Sequence, residues 1–403
     1  MPSSSKLSFR KINGTVHLWL GWITALFLTV ICLTGTIYVF HTEIEKAIYP
    51  KYFTVTPSKE TLPIDTLLKI VVKETNGKVL SFRTSDEANE AWFFNIKEKK
   101  SSKNEKKERI STKKETTKEE TKTERGTPYY VNPYNGVITY SGNTPASAFF
   151  KNIADIHRFF FLGKSVGKVL SGAVSLLFVL IIFSGVVIWI PKKIKHWKDG
   201  FKIKFKAHWK RVNYDLHRAL GIFVFPIVLL CALTGPNWSF EWYRMGLSKV
   251  LGDEFFRQRR EKPIRIDSTI HYTSKQTISI AEAMNLGNKI YAGPALTLVT
   301  IPTDSLESIT VSKIHSGFGK LSVTDKININ PYDGTIVKKD IFSNLGFGAK
   351  LAALVRGFHL GEFYGTFSKT IYFLACLLAS SLPLTGVLIW WNKRRKKTVK
   401  SRK

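Results

Sequence analysis

The 403-residue sequence predicts an α-helical membrane protein, with four transmembrane helices in two repeated hairpins and two outward α+β modules. Three observations predict it. Stretches without Asp, Glu, Lys or Arg run Ile12–Thr42, Val169–Pro191, Ala219–Phe240 and Thr370–Asn392, each at least 22 residues long, and a bilayer core takes about 20 apolar residues as helix. Basic residues gather beside alternate ends of those stretches. The chain also resembles itself at an offset near 200 residues.

The charge distribution sets the orientation. Lys and Arg total 61 against 30 Asp and Glu, a net charge of +31. The loop Lys192–Arg211 holds nine bases and one acid, and the tail Lys393–Lys403 holds eight bases and no acid. Lys6, Arg10 and Lys11 add a basic amino-terminal arm. Basic residues accumulate on the cytoplasmic side, so both termini and the middle loop are expected inside. The connections 41–156 and 240–358 are expected outside. Topology accounts for most of the basic excess, and no nucleic-acid partner is expected.

Taken in chain order, residues 1–11 form the inward arm and 12–42 the first span. This run is longer than the 7–15-residue apolar core of a secretory signal and no small-residue cleavage site follows it, so it reads as a retained helix. Residues 43–156 form the first outward module. Leu62–Glu74 is helix-like, and Ala91–Ile96 and Tyr129–Tyr140 read as strands. Within the module, the segment 97–125 has 12 bases, seven acids and Ile110 as its only apolar residue. Such a segment cannot bury enough surface to order itself, and it reads as a disordered insertion. Residues 157–191 are the second span with its outward entry segment, and 192–213 the basic inward loop.

The second half follows the same plan, with a span at 214–240 and a module at 241–358. The fourth span and its entry cover 359–392, and the basic tail covers 393–403. In the second module Ile278–Asn288 is helix-like, and Leu296–Ile301, Ser308–Ile314 and Ile327–Val337 read as strands. The repeat aligns His17-Leu-Trp-Leu-Gly21 with His217-Arg-Ala-Leu-Gly221, and Thr34-Gly35 with Thr234-Gly235. Asn132-Pro-Tyr-Asn-Gly136 meets Asn330-Pro-Tyr-Asp-Gly334, His157 meets His359, and Gly185-Val-Val-Ile-Trp189 meets Gly386-Val-Leu-Ile-Trp390. Self-similarity of this kind sets an architecture, here a pseudo-twofold pair of hairpins. Neither module carries a Ser/His/Asp cluster, a phosphate-binding glycine loop or a metal-spaced acid set, so both read as binding or lid modules.

Nine histidines carry the candidate chemistry. His17 and His217 begin spans one and three at the inward end, and His157 and His359 precede spans two and four at the outward end. Ionisable residues at membrane depth are rare and costly, and so are functional candidates. A bis-imidazole haem takes one neutral imidazole nitrogen from each side of the macrocycle, which two helices at matching depth supply. Depth pairs His17 with His217 and His157 with His359. Gly21 and Gly221 lie one turn beyond His17 and His217 on the same face, where a glycine makes room for a flat group. Arg158 and Arg218, each following a His, suit haem propionates, and Asp155 and Asp215 suit helix starts. The fourth site has Leu360 after its His, with Arg356 as the nearest Arg.

His157 and His359 stand 12 and 11 residues before their uncharged runs. As a continuous helix this places them roughly 15–20 Å above those runs, unless the helices enter the bilayer earlier with Lys164, Lys168 and Lys369 snorkelling. His41 is an alternate ligand or substrate contact. His196 and His208, each before a Trp, read as interfacial anchors, and His271 and His315 as surface residues. Cys32, Cys231 and Cys376 lie inside apolar spans without CxxC spacing. They exclude covalent haem attachment and a disulfide framework and read as small buried hydrophobes.

These motifs, in this order and duplicated, resemble the PepSY-associated transmembrane proteins. His-Leu-Trp-Leu-Gly, Leu-His-Arg, Thr-Gly and Gly-Val-x-Ile-Trp carry the likeness in the spans, and the Asn-Pro-Tyr-Asn/Asp-Gly turns look like the end of a PepSY module. The resemblance implies a multi-pass protein of the bacterial inner membrane linked to iron uptake. It implies two b-type haems, with His17, His157, His217 and His359 in the matching positions, and reduction of ferric siderophores or other ferric chelates on the periplasmic face. Outward electron flow runs with a negative-inside potential. The chain has no GxGxxG segment, so the electron donor is expected to be separate, a cytoplasmic protein or a quinol. Membrane lipid and a ferric chelate complete the expected partners. The competing readings are a non-enzymatic protein that binds peptides or regulates an envelope protease, and a small permease suggested by the internal repeat.

Overall fold

A computed structural model of the chain describes residues 9–98, 126–252, 264–266, 277–315 and 323–401. Most of the Lys/Glu-rich insertion 97–125 lies outside the described residues, as does His271. The chain divides into two compact units interleaved in sequence. One comprises residues 1–41, 146–256 and 347–403, and the other residues 42–145 and 257–346.

The first unit is helical. Four helices are long and apolar enough to cross a bilayer: Phe9–Val39, Gly163–Trp189, Trp209–Ser239 and Gly365–Arg394. We label α1 as Phe9–Val39, α2 as His41–Ile48, α3 as Ile64–Thr75, α4 as Pro145–Phe159, α5 as Gly163–Trp189, α6 as Trp209–Thr234, α7 as Glu241–Leu251, α8 as Ile280–Ile290, α9 as Phe347–Leu360 and α10 as Gly365–Ser401. Among the spans, α1 packs against α5 and α10, and α6 packs against α5 and α10. Their shared interior is built from small and branched residues, including Cys32, Ile182, Val224, Val228, Ala232, Ala375 and Ala379. Large apolar side chains point away from it, among them Leu26, Phe183 and Leu384. A helix bundle with its bulk turned outward is what a lipid solvent favours, since tails are as apolar as the side chains they meet.

The spans are entered through breaks. α4 does not continue into α5, because Phe160 (φ 50°), Phe161 (φ 64°) and Gly163 (φ 74°) turn the chain through the left-handed region. The start of α5 lies so close to the end of α4 that a Cβ on Gly167 would collide with the Phe159 carbonyl. The second half breaks likewise at Gly361 (φ 70°) and Gly365 (φ 58°), between α9 and α10. Continuous helices standing His157 and His359 well above the spans are therefore replaced by separate short helices that end near them. Asp155 and Asp215 also differ from expectation. Neither starts a helix: Asp155 lies in the last turns of α4, and Asp215 lies inside α6.

The second unit is an eight-stranded antiparallel sheet. The strands are β1 Gly77–Arg83, β2 Trp92–Glu98, β3 Thr127–Val131, β4 Ile138–Ser141, β5 Ala295–Thr300, β6 Ile309–His315, β7 Thr324–Ile329 and β8 Ile336–Asp340. Their order, β4-β3-β2-β1-β5-β6-β7-β8, makes each half a meander and joins the halves edge to edge. The seam pairs Ser81 with Thr300, Phe82 with Val299 and Arg83 with Leu298. The two modules expected from sequence thus share one sheet.

They also share one core. Leu67 and Val71 from α3, Phe82, Phe94, Ile96 and Val131 from the first half pack in one cluster with Ala283, Val299, Val311 and Ile329 from the second. The helices α3 and α8 meet, and the backbone N–H of Ile280 donates to Asp65 (3.1 Å). α8 begins with a full capping box between Ser279 and Glu282, which satisfies two of its free amide donors. The Asn-Pro-Tyr turns close β3–β4 and β7–β8. Asn132 Oδ1 accepts from Tyr134 N–H and Asn330 Oδ1 from Tyr332 N–H, with Gly136 and Gly334 in the left-handed region.

Candidate functional site

The helical unit brings four of the nine histidines into two pairs. The ring centres of His17 on α1 and His217 on α6 lie 6.3 Å apart, with the planes at 83°. Those of His157 on α4 and His359 on α9 lie 6.2 Å apart, at 76°.

Each ring is held from a neighbouring helix through Nδ1. His17 Nδ1 is bonded to Ser184 Oγ (2.9 Å) and the Ile181 carbonyl (3.1 Å) on α5. His217 Nδ1 is bonded to Thr385 Oγ1 (2.8 Å) on α10. His157 Nδ1 is bonded to Thr34 Oγ1 (3.0 Å) and the Ile31 carbonyl (3.0 Å) on α1. His359 Nδ1 is bonded to Thr234 Oγ1 (2.9 Å) on α6, and its ring also lies 4.9 Å from that of Trp238. Binding at Nδ1 leaves Nε2 as the nitrogen each ring can offer to a metal.

A cavity of about 360 Å³ adjoins the inner pair, with His17, His217, Gly21, Gly221, Trp22 and Trp390 on its wall. A Cβ on Gly21 or Gly221 would meet nothing within 4 Å. These two glycines are therefore openings in the wall rather than packing contacts. Arg218 also lines the cavity. It stands 3.5 Å from Asp215 and bonds the Asp199 carbonyl, and its buried Nε has no hydrogen-bond partner among the described residues. Arg158 is more exposed, paired with Asp155 (2.7 Å) and set over the Phe159 ring.

The remaining histidines among the described residues have other partners. His41 stacks on Tyr38 with ring centres 4.1 Å apart and lies edge-on to Phe150. His196 contacts Asp199 (3.3 Å), and His208 caps α6 by accepting from the Lys210 amide. His315 corrects its surface assignment. It is largely buried, stacked on Tyr291 (3.8 Å) and bonded to Asp325 (2.8 Å).

Sequence reasoning misses Ser184 and Thr385, and marks Thr34 and Thr234 only as repeat punctuation. It also misses Asn13 and Asn213, each four residues before an inner His. Asn13 Nδ2 donates to the Ser184 carbonyl (2.8 Å), and Asn213 Nδ2 to the Thr385 carbonyl (3.1 Å). An Asn-x-x-x-His-x-x-x-Gly face, repeated at Asn13 and Asn213, is the signal that finds them.

Each pair would offer a metal one nitrogen from each ring. Among the described residues no three His, Cys, Asp or Glu side chains converge on a bare ion, so the histidines offer two ligands per site. An iron held at about 2 Å by one imidazole nitrogen on each side sets ring centres about 6 Å apart. A macrocycle would supply the other four ligands, and the open wall at Gly21 and Gly221 would leave room beside the inner pair.

The family profile described as the PepSY-associated TM region matches residues 15–393. A search of curated proteins gave no significant match.

Proposed function

The chain belongs to the PepSY-associated TM-region family, and on that premise we propose that it is a di-haem b electron-transfer protein of the bacterial inner membrane. It reduces ferric siderophores or other ferric chelates on the periplasmic face and releases Fe(II). In this reading the spans form two repeated hairpins, both termini are cytoplasmic, and the sheet unit is periplasmic. The observation that carries the reading is the presence of two imidazole pairs, each at the separation that one iron between two ring nitrogens sets.

Two b-type haems, when bound, supply one-electron transfer between the two faces of the membrane. The chain's residues do the rest. His17 and His217 would hold the inner group, and His157 and His359 the outer one. Gly21 and Gly221 keep the wall open. Arg218 lines the cavity and keeps a buried Nε–H without a partner among the described residues, to which a carboxylate is a natural complement. Trp22 and Trp390, 4.5 Å apart with Arg394 over Trp390, line the same cavity.

The substrate follows from the direction of transfer. Fe(II) binds hard oxygen ligands more weakly than Fe(III), so a one-electron reduction loosens a hydroxamate or catecholate chelate. The donor is a separate reductant on the cytoplasmic side or in the lipid. The test is anaerobic mixing of chemically reduced protein with a ferric hydroxamate in the presence of a ferrous-iron trap. Stoichiometric re-oxidation of the protein with appearance of trapped Fe(II) is expected. Reduced protein that keeps its electrons in the presence of every ferric chelate tried contradicts the reductase reading.

A further inference from the structure

Each of the four histidines is held by the same local construction, and the construction determines which ring nitrogen carries the proton. Thr34-Gly35, Ser184-Gly185, Thr234-Gly235 and Thr385-Gly386 are the four Ser/Thr-Gly dipeptides that face them. In every case the hydroxyl meets an imidazole Nδ1 at 2.8–3.0 Å. The same hydroxyl also lies within hydrogen-bond reach of a carbonyl in its own helix. Thr34 reaches the Val30 carbonyl (2.6 Å), Ser184 that of Ile181 (2.8 Å), Thr234 that of Leu230 (2.6 Å) and Thr385 that of Leu382 (3.0 Å).

A hydroxyl has one proton, and in an apolar helix it goes to the preceding turn's carbonyl. Towards the imidazole the oxygen is then an acceptor. For His17 and His157 a backbone carbonyl, which can only accept, meets the same Nδ1. Nδ1 must therefore carry the hydrogen, and Nε2 must be bare. Glycine follows the hydroxyl because the ring lies against that backbone. A Cβ on Gly185 would stand 3.1 Å from His17 Cε1, one on Gly386 3.3 Å from His217 Cε1, and one on Gly35 3.5 Å from His157 Cε1. Gly235 differs, since its Cβ would instead meet Ser175 Oγ at 2.8 Å. At the inner level Asn13 and Asn213 tie down the carbonyl of the anchoring residue itself.

We propose that the four Ser/Thr-Gly dipeptides are positioning residues that lock each imidazole as the Nδ1–H tautomer and leave its Nε2 bare. The arrangement is reciprocal. α1 carries His17 and the anchor of His157, while α4 and α5 carry His157 and the anchor of His17. α6 with α9 and α10 repeats the exchange. This assignment rests on the haem reading for its consequence, since an Nδ1–H donor strengthens the ligand and stabilises Fe(III) over Fe(II).

The test compares Thr385→Val and Ser184→Ala (inner) with Thr34→Val and Thr234→Val (outer) in the full-length haem-loaded protein. Loss of an anchor is expected to weaken retention of one haem about 10–100-fold and to raise that haem's midpoint potential, leaving the other unmoved. Ser184→Thr and Thr34→Ser are expected to restore both. If anchor variants keep wild-type retention and potential while His17→Ala loses a haem, the proposal falls and the haem reading stands. If the wild-type protein binds no haem, imidazole ¹⁵N spectra of the same chain decide. Protonated Nδ1 in the wild type, lost in Thr385→Val, supports the anchors. Protonated Nε2 in the wild type overturns them.

Discussion

His17 and His217, 200 positions apart in sequence, face each other with ring centres 6.3 Å apart. Each is bonded through Nδ1 to a different helix, His17 to α5 and His217 to α10. The two rings therefore draw on four helices. We expect His17→Ala, His217→Ala and the double variant each to lose one haem of two. Combining His17→Ala with His157→Ala loses both. Haem per polypeptide in purified variants reads this directly, and additivity within a pair contradicts the pairing.

The wall at Gly21 and Gly221 is open, so a side chain placed there meets no protein atom at its Cβ. Gly21→Leu and Gly221→Leu are expected to fold at least as well as the wild type, since each also removes a helix glycine worth about 0.5–1 kcal/mol. They are expected to exclude the inner haem alone. Thermal stability of the apo form against haem content of the loaded form separates the two effects.

The break before α5 depends on backbone rather than space. Gly163 has φ 74° with nothing near a Cβ, so Gly163→Val strains the turn without a steric clash. A β-branched residue in the left-handed region costs about 1–2 kcal/mol. We expect the outer haem to be bound more weakly and the inner one to be unchanged, read as selective bleaching of one redox component during a haem-competition assay.

Phe82 and Phe94 are fully buried and stacked at 5.5 Å beside the β1–β5 seam. Phe82→Ala is expected to cost about 3–5 kcal/mol and to lower the stability of both halves of the sheet together. Hydrogen exchange that speeds up in β5 and β6 as well as in β1 and β2 is the expected result. Acceleration confined to β1 and β2 contradicts a common core.

Lys313 lies in the sheet unit with its ammonium on Asn288 and Thr297, in register with Asp325. Burial holds its pKa below the usual lysine value. The unfolded chain then binds the proton more tightly than the folded one, so this group's contribution to stability rises with pH towards about 10.4. The difference in stability between wild type and Lys313→Gln is expected to shift in favour of the wild type as pH rises towards about 10.4. A flat difference contradicts the assignment.

The spans are legible because lipid demands long uncharged runs, and four occur. The site histidines are legible because an ionisable group beside such a run stands out, and the offset of 200 supplies its partner. The anchors are less visible. Ser184 and Thr385 read as ordinary hydroxyls bonding their own helix, which they also do. The break between α4 and α5 is hidden because Phe160 and Phe161, residues that rarely adopt positive φ, make the turn. β1 escapes because a register shift between Val79 and Ser81 disrupts its alternation. The seam between β1 and β5 joins segments with no local signal for each other. His315 reads as surface because its partner Asp325 sits on the next strand, and strand register is not written in spacing.

The most direct measurement is the haem content of the purified full-length protein, taken with a reduced-minus-oxidised visible spectrum and a potentiometric titration. Two b-type haems per chain, titrating as two one-electron components with low-spin bis-imidazole spectra, are the predicted result. Colourless protein purified from haem-replete cells contradicts the account and leaves the peptide-binding reading of the sheet unit in its place.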